Sequence, residues 1–195
     1  MVNPWVQLTD AVLSERVRSG DYSAFGAVYD RYAPALLRHL IYRTPNRETA
    51  EDLLSKTFLK VWEYVRSGGQ IKNLRQFLYT VAQNSLTDFY RRKDYSDVLV
   101  EDLTDYDRPD ENNRTIIALD SGFDKETLAS ALAKVKPIFR DVLVMRYIDE
   151  LEIDEVAAAL GLTSNAVYVR SHRALRALKA VLENDFSLRL RSLKT

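Results

Sequence analysis

One glycine, Gly161, most constrains how this chain can fold, because it stands between two segments of helical periodicity. Before it, apolar residues recur at three- and four-residue spacing over residues 153–160, which predicts a short helix. Glycine readily takes the left-handed conformation that ends a helix, and Thr163 or Ser164 can then cap a second helix by accepting a backbone N–H bond. The segment 147–182 is therefore predicted to be a helix-turn-helix.

The second predicted helix has one apolar and one polar face. Its apolar face, turned toward the first helix, carries Val167, Ala174, Leu175, Leu178 and Leu182. The opposite face carries Asn165, Val169, His172 and Arg176, flanked by Tyr168, Arg173 and Lys179. In DNA-binding proteins such a helix enters the major groove, where an amide such as that of Asn165 suits an adenine edge and later basic residues suit phosphates. The alternative is a helical hairpin whose basic face is only solvated.

Charge divides the chain into three blocks, although the formal net charge is zero. Residues 1–92 carry 13 Lys and Arg against 9 Asp and Glu, and residues 125–195 carry 12 against 9. Residues 93–124 carry 3 against 10, a net charge of −7, without sustained periodicity. This pattern predicts an all-α protein in which two small helical domains, 1–93 and 125–195, are joined by an acidic flexible linker over residues 94–124.

The first block has the periodicity of several helices. Apolar spacing predicts one helix over residues 9–19, a second after Gly20 and Asp21, and a strong one over residues 47–65. Pro34 is expected to open a separate helix, since proline fits a first helical turn. A last helix over residues 73–92 places a row of uncharged polar side chains away from its apolar face, namely Gln76, Thr80, Gln83, Asn84 and Thr87. Such a row suits a surface that meets hydrogen-bonding edges, and an ordinary polar face is the alternative.

Several functional classes are disfavoured by composition. Cysteine is absent, which removes thiolate nucleophiles, disulfides and cysteine-based zinc sites. His39 and His172 share no ligand spacing with each other. We therefore expect no catalytic residues, no metal and no cofactor. The N-terminus lacks a signal-peptide pattern, and no apolar run approaches the roughly 18 residues of a membrane span, so a cytoplasmic protein without membrane insertion is expected.

The order of short motifs along residues 10–182 resembles bacterial RNA polymerase sigma factors of the extracytoplasmic-function class, the compact members of the sigma-70 family. In the first block the resemblance rests on Ala50-Glu51-Asp52-Leu53, Thr57-Phe58-x-x-Val61-Trp62 and Phe77-Leu78-Tyr79-x-Val81-Ala82-x-Asn84. In the last block it rests on Glu155-Val156-Ala157-x-x-Leu160-Gly161-Leu162 and Val167-x-x-Arg170-x-His172-Arg173-Ala174-Leu175.

The resemblance implies three binding sites. The segment that docks on the largest subunit of the polymerase corresponds to Asp52, Leu53, Thr57, Phe58, Val61 and Trp62. The segments that read and melt the minus-ten promoter element correspond to Gly68, Gly69, Lys72, Thr80, Asn84, Thr87, Asp88, Arg91 and Arg92. The helix that reads the minus-35 element corresponds to Ser164, Asn165, Tyr168, Val169, His172, Arg173 and Arg176. The implied partners are core RNA polymerase, through its largest and second-largest subunits, promoter DNA and an anti-sigma factor.

The chain departs from the family pattern around the helix-turn-helix. Tyr168 and Val169 stand where the family commonly has lysine and serine, and Glu152 and Asp154 replace smaller polar residues before and within the first helix. The competing function is a stand-alone helix-turn-helix regulator of an operator. Such a regulator needs neither the Gly68-Gly69 loop nor the polar helix that follows it.

The acidic linker generates the first prediction. Its charge suits a basic channel, and the resemblance implies that it mimics nascent RNA there; the alternative is a soluble tether. We expect weaker holoenzyme and an altered yield of abortive transcripts when six carboxylates become amides, at Glu101, Asp102, Asp105, Asp107, Asp110 and Glu111. In vitro transcription and polymerase-binding assays over a range of salt measure both. Parent-like values at every salt concentration would leave the linker as a tether.

Overall fold

A computed structural model describes residues 8–92 and 125–192, and all regular structure within them is helical. The first compact unit contains α1 (Asp10–Arg18), α2 (Tyr22–Ile41), α3 (Arg47–Arg66) and α4 (Leu74–Arg92). The segments that belong mainly to the second unit are α5 (Lys125–Lys134), α6 (Pro137–Leu143), a π-helical turn (Val144–Ile148), α7 (Ile153–Leu160) and α8 (Ser164–Ser192). The predicted all-α class with two helical domains is confirmed, while the linker lies outside the described residues.

Side-chain caps begin the long helices of the first unit. Asp21 accepts hydrogen bonds from the backbone N–H groups of Ser23 and Ala24 at the start of α2, and Asn46 accepts one from Thr49 at the start of α3. These residues satisfy backbone donors that have no partner inside the helix. The apolar sides of α2 and α4 both pack against α3.

Asp10 joins α1 to α2. Its carboxylate accepts hydrogen bonds from the Arg31 guanidinium and from the Tyr32 hydroxyl. Burial, and then the hydrogen bond to Asp10, raises the pKa of Tyr32, so its hydroxyl keeps its proton and the bond to Asp10 into more alkaline solution than an ordinary tyrosine would.

The prediction that Pro34 opens a separate helix is wrong. Pro34 lies inside α2, which continues for 20 residues without a break. Pro34 is exposed, so water can hydrate the carbonyl group that loses its helical N–H partner. Buried residues on both sides of it, including Ala27 and Val28 before and Leu36 and Leu40 after, pack into the same core. Tertiary packing therefore outweighs the local preference of proline.

The placement of Gln83 on the polar side of α4 is also wrong. Gln83 is buried, and its side-chain oxygen accepts a hydrogen bond from the buried guanidinium of Arg43 at the end of α2. A second link joins the same two elements, because the Tyr90 hydroxyl donates to the Arg43 carbonyl oxygen at 2.5 Å. These polar contacts fix α4 against α2.

A π-helical turn in the second unit was not predicted. Pro137 opens α6, but over Val144–Ile148 the hydrogen bonding shifts, and the Asp149 N–H bonds to the Val144 carbonyl five residues earlier. Glu150 follows in a left-handed conformation, with φ of 53°. This turn redirects the chain before α7.

The predicted helix-turn-helix is confirmed in its local geometry. α7 ends at Gly161, whose φ is 64°, and the Leu162 N–H bonds to the Ala157 carbonyl at 2.9 Å. This is the hydrogen bond of a Schellman helix end. The Thr163 hydroxyl then accepts from the Ala166 N–H at 3.2 Å and caps α8, which continues to Ser192.

The left-handed turn generates the second prediction. Gly161→Ala should destabilise the chain by about 1 kcal/mol, because an L-residue is strained at positive φ while no atom lies near the added methyl group. Gly26→Ala is the matched control, since the same methyl group in the interior of α2 also meets open space but should stabilise by about 0.5–1 kcal/mol. Chemical denaturation followed by circular dichroism measures both, and effects of equal sign would contradict the argument.

Candidate nucleic-acid and polymerase interfaces

The outward side of α8 carries most of the residues predicted to read the minus-35 element. Asn165, Tyr168 and Arg176 are exposed, with 51% of the Tyr168 surface accessible. Val169, His172 and Arg173 are partly exposed beside them. We call these six residues the reading face of α8. Its inner side buries Val167, Ala174 and Leu178, and the buried Ser171 hydroxyl donates to the Val167 carbonyl oxygen.

Ser164, the remaining predicted minus-35 residue, lies at the start of α8. Its hydroxyl donates to the Asp154 carboxylate of α7 at 2.7 Å. Both side chains are exposed. The two residues are ten positions apart in the chain, so no local pattern in the sequence indicates this contact.

The six residues predicted to dock on the polymerase do not share one exposed surface. Leu53, Thr57, Phe58 and Val61 are buried in the core of the first unit. The Thr57 hydroxyl is satisfied within α3, because it donates to the Leu53 carbonyl oxygen at 2.7 Å. Only Asp52, which is exposed, and Trp62, which is partly exposed, are accessible.

Leu59 is an accessible apolar residue of α3 that is not among the six residues predicted from the sequence. It is 55% exposed and lies on the side of α3 opposite the buried stripe. In the sequence, Leu59 stands out as an apolar residue that does not follow the helical spacing of that stripe. Together, Asp52, Leu59 and Trp62 define what we call the docking face of α3.

An aromatic cluster borders the docking face. The Trp62 ring centroid lies 4.9 Å from that of Tyr22 and 4.8 Å from that of Phe25, both on α2. Tyr22 is 72% exposed, so the cluster reaches the surface. Aromatic pairs at these separations are favourable, and they hold Trp62 in a defined orientation.

The outward side of α4 carries residues predicted to read the minus-ten element. Thr80, Asn84, Thr87 and Arg91 project within about 60° of one another on the helix, and we call them the polar face of α4. The hydroxyls of Thr80 and Thr87 donate to carbonyl oxygens four residues earlier. Their oxygen lone pairs and the exposed Asn84 amide remain available to a ligand.

Charged residues surround the polar face of α4. Asp88 lies 3.1 Å from the Arg91 guanidinium and 3.6 Å from the Lys60 ammonium group of α3. Lys72 and Arg92 are exposed at the two ends of this surface. Among these residues, the four cations of Lys60, Lys72, Arg91 and Arg92 outnumber the one carboxylate of Asp88. This excess of positive charge suits a polyanionic partner.

The loop between α3 and α4 holds the two glycines predicted to take part in minus-ten recognition. Gly68 has φ of 90° and is exposed. Gly69 lies under the Tyr64 ring, and a side-chain carbon there would come within 2.4 Å of it. The centroid of the Tyr64 ring also lies 4.7 Å from that of the Phe77 ring, so Tyr64 of α3 contacts both the loop and α4.

Neither a metal centre nor a membrane span is found within the described residues. No group of three or more His, Asp or Glu side chains there is arranged to hold a metal ion. No helix in residues 8–92 or 125–192 is long and apolar enough to cross a membrane.

Comparison with known proteins identifies the family. The sigma-70 region 2 model matches residues 28–95, and the sigma-70 region 4 model matches residues 125–178. The RNA polymerase sigma factor YlaC of Bacillus subtilis is 31% identical over 159 residues, covering 78% of this chain and 88% of YlaC. The ECF RNA polymerase sigma factor BldN of Streptomyces coelicolor is 27% identical over 175 residues. The chain belongs to the extracytoplasmic-function sigma factors of the sigma-70 family.

The extent and fold of the relatives agree with this assignment. The match covers 89% of this sigma factor and 66% of the length of BldN. The structure of CnrH, a sigma factor of Cupriavidus metallidurans, in complex with the cytosolic domain of CnrY has a TM-score of 0.68 and 26% identity, over 90% of this chain and 98% of that one. Sigma factors of this family direct promoter-specific initiation of transcription, and nothing in these comparisons favours a stand-alone operator-binding regulator.

Proposed function

We propose that this sigma factor binds core RNA polymerase through α3, reads and melts the minus-ten element with α4 and the loop before it, and reads the minus-35 element with α8. The observation that carries the proposal is the reading face of α8, which begins with the exposed Asn165 and ends with the exposed Arg176. Residues 1–93 would form the domain for polymerase and minus-ten binding, residues 94–124 the linker, and residues 125–195 the minus-35 domain.

Polymerase docking is supported by the docking face of α3. Exposed apolar and aromatic groups beside a charged residue are typical of protein interfaces. Leu59 offers an exposed apolar side chain, and Trp62 is held by Tyr22 and Phe25. The buried members of the predicted set act by supporting this face. In this proposal the contact extends to both large subunits of the polymerase.

Minus-ten reading is supported by the polar face of α4. Melted promoter DNA exposes base edges and π-faces that double-stranded DNA hides. Asn84 and the two threonine hydroxyls offer hydrogen-bonding groups for such edges, and Arg91 offers a cation for the phosphates. Gly68, Gly69 and Lys72 lie in the adjoining loop, where the exposed Gly68 has no side chain to restrict the approach of a strand and Lys72 offers a cation for its phosphates.

Minus-35 reading follows the geometry of helix-turn-helix proteins. Residues at the start of the second helix contact base edges, and later basic residues contact the phosphates. Asn165 and Tyr168 occupy the first two turns of α8, whereas Arg173 and Arg176 lie farther along. We therefore assign base reading to the first pair and phosphate binding to the second.

A regulatory partner and the site of action complete the proposal. CnrH was solved with the cytosolic domain of CnrY, and we propose that this sigma factor is also bound by a protein partner, an anti-sigma factor that holds it inactive. The protein would act in the cytoplasm, where the polymerase is. It would supply no catalytic group, because phosphodiester chemistry belongs to the polymerase.

Polymerase docking generates the third prediction. Leu59→Asp should weaken binding to core polymerase about thirtyfold, the effect of losing one interface anchor of about 2 kcal/mol. Affinity is measured with labelled sigma factor and purified core enzyme. Phe58 is unsuited to this test because it is 4% exposed, and its loss would leave a cavity costing about 3–5 kcal/mol of stability.

Val12→Asp is the matched control for Leu59→Asp. Val12 is also an exposed apolar residue, 41% accessible, but it lies on α1. It receives the same charge on a different helix. Parent-like affinity of Leu59→Asp, with both variants folded by circular dichroism, would contradict a polymerase contact at Leu59.

Minus-35 reading generates the fourth prediction. Arg176→Ala should lower affinity about fivefold for every promoter, as expected for the loss of one phosphate contact. The slope of the logarithm of the binding constant against the logarithm of the salt concentration should become shallower by about one unit. Asn165→Ala and Tyr168→Ala should instead change which minus-35 sequence is preferred, because they face base edges. Holoenzyme binding to a promoter library at two salt concentrations separates the two effects. If neither Asn165→Ala nor Tyr168→Ala alters the base preference, α8 does not read the element as proposed.

A further inference from the structure

Asp154 brings a carboxylate from α7 to the beginning of α8. Its Oδ1 atom accepts a hydrogen bond from the Ser164 hydroxyl at 2.7 Å. Ser164 is the first residue of α8, directly before Asn165. The pair therefore lies at the end of the helix that, under the proposed function, enters the major groove.

The hydrogen bond determines which groups Ser164 can recognise. A hydroxyl has one proton to donate and two lone pairs that accept. An ionised carboxylate can only accept, and a hydrogen bond to it is roughly twice as strong as one between neutral groups. While Ser164 donates its proton to Asp154, its oxygen presents only lone pairs outward.

Base edges in the major groove differ in the groups that they offer. Cytosine and adenine carry exocyclic amines that donate, whereas the exocyclic oxygens of guanine and thymine accept. A serine free to rotate meets either kind of base, and for this reason serine alone is a poor discriminator. A serine held as an acceptor distinguishes the two kinds.

We propose that Asp154 is a positioning residue for specificity, which holds Ser164 as a hydrogen-bond acceptor and so favours cytosine or adenine at the base that Ser164 faces. This inference rests on the proposed function of α8. Asp154 acts through Ser164 and does not touch the base. Its negative charge also lies near the DNA backbone, where it lowers affinity for every sequence.

A neighbouring acid, Glu152, separates the effect of the Ser164 contact from the effect of negative charge. Glu155 is engaged elsewhere, because its carboxylate accepts the Glu152 N–H at 3.0 Å at the start of α7. The Glu152 side chain is exposed and lies two residues before Asp154. Glu152→Gln therefore removes an equal charge from the same helix start and leaves the Ser164 contact in place.

The test compares holoenzymes that contain the parent chain, Asp154→Asn, Glu152→Gln, Ser164→Ala or the double variant Asp154→Asn with Ser164→Ala. The probe is a duplex promoter library randomised over the minus-35 element, and sequencing of the bound fraction gives the base preference. At one position the parent should favour cytosine and adenine over guanine and thymine about fivefold, within the range of one hydrogen bond. Asp154→Asn should reduce this preference below about twofold, because a neutral amide can donate to the Ser164 oxygen as well as accept from its hydroxyl and so no longer holds the hydroxyl in one orientation.

The other variants give distinct expected results. Glu152→Gln should raise binding to all sequences and keep the fivefold preference. Ser164→Ala should lose the preference, and adding Asp154→Asn to it should change no base preference further. Circular dichroism and core-polymerase affinity should match the parent in every case.

Two results would overturn the inference. If Asp154→Asn behaves as Glu152→Gln does, the carboxylate contributes charge alone. If Ser164→Ala keeps the parent preference while Asp154→Asn abolishes it, the carboxylate reads the base itself. Asn165→Ala and Tyr168→Ala distinguish these failures from a failure of the proposed function. When they shift the minus-35 preference, α8 reads DNA and only the role of Asp154 is wrong; when they do not, the assignment of α8 is wrong.

Discussion

Burial of the apolar stripe of α3 is the interaction on which the first unit depends. Leu53, Phe58 and Val61 lie on this stripe, and α3 packs against both α2 and α4. Burying each such side chain contributes about 1.5–3 kcal/mol. The proposed polymerase and minus-ten surfaces are the outer sides of α3 and α4, whose inner sides make this core. The core therefore sets the orientation of one surface relative to the other.

The helices that could be predicted from the sequence are those whose signals are local. Periodic apolar residues and a break at Gly20 and Asp21 placed α1 within a residue of its ends. The turn at Gly161 was predictable because a left-handed position strongly favours glycine, and Thr163 supplied the cap. Each of these features is decided within about one helical turn of the residue that signals it.

The features that escaped prediction depend on residues distant in sequence. Pro34 remains inside α2 because core contacts on both of its sides outweigh a local preference. Gln83 is drawn inward by Arg43, which lies 40 residues earlier. Most of the residues predicted to dock on the polymerase lie on the buried stripe of α3, whereas Leu59 of the proposed docking face interrupts a polar side and has no such periodic signal. A periodic pattern identifies what is buried, and an accessible binding group is found as an exception to the pattern.

The π-helical turn at Val144–Ile148 makes the second unit sensitive to chain length at that point. Its hydrogen bonds span one residue more than those of an α-helix, as the bond from the Asp149 N–H to the Val144 carbonyl shows. Removing a residue would restore ordinary helical bonding but would turn everything that follows by about 100°. Leu151 follows the turn and is fully buried, so such a rotation would carry it out of the core. Substitutions that keep the chain length are therefore tolerated here more readily than a single insertion or deletion.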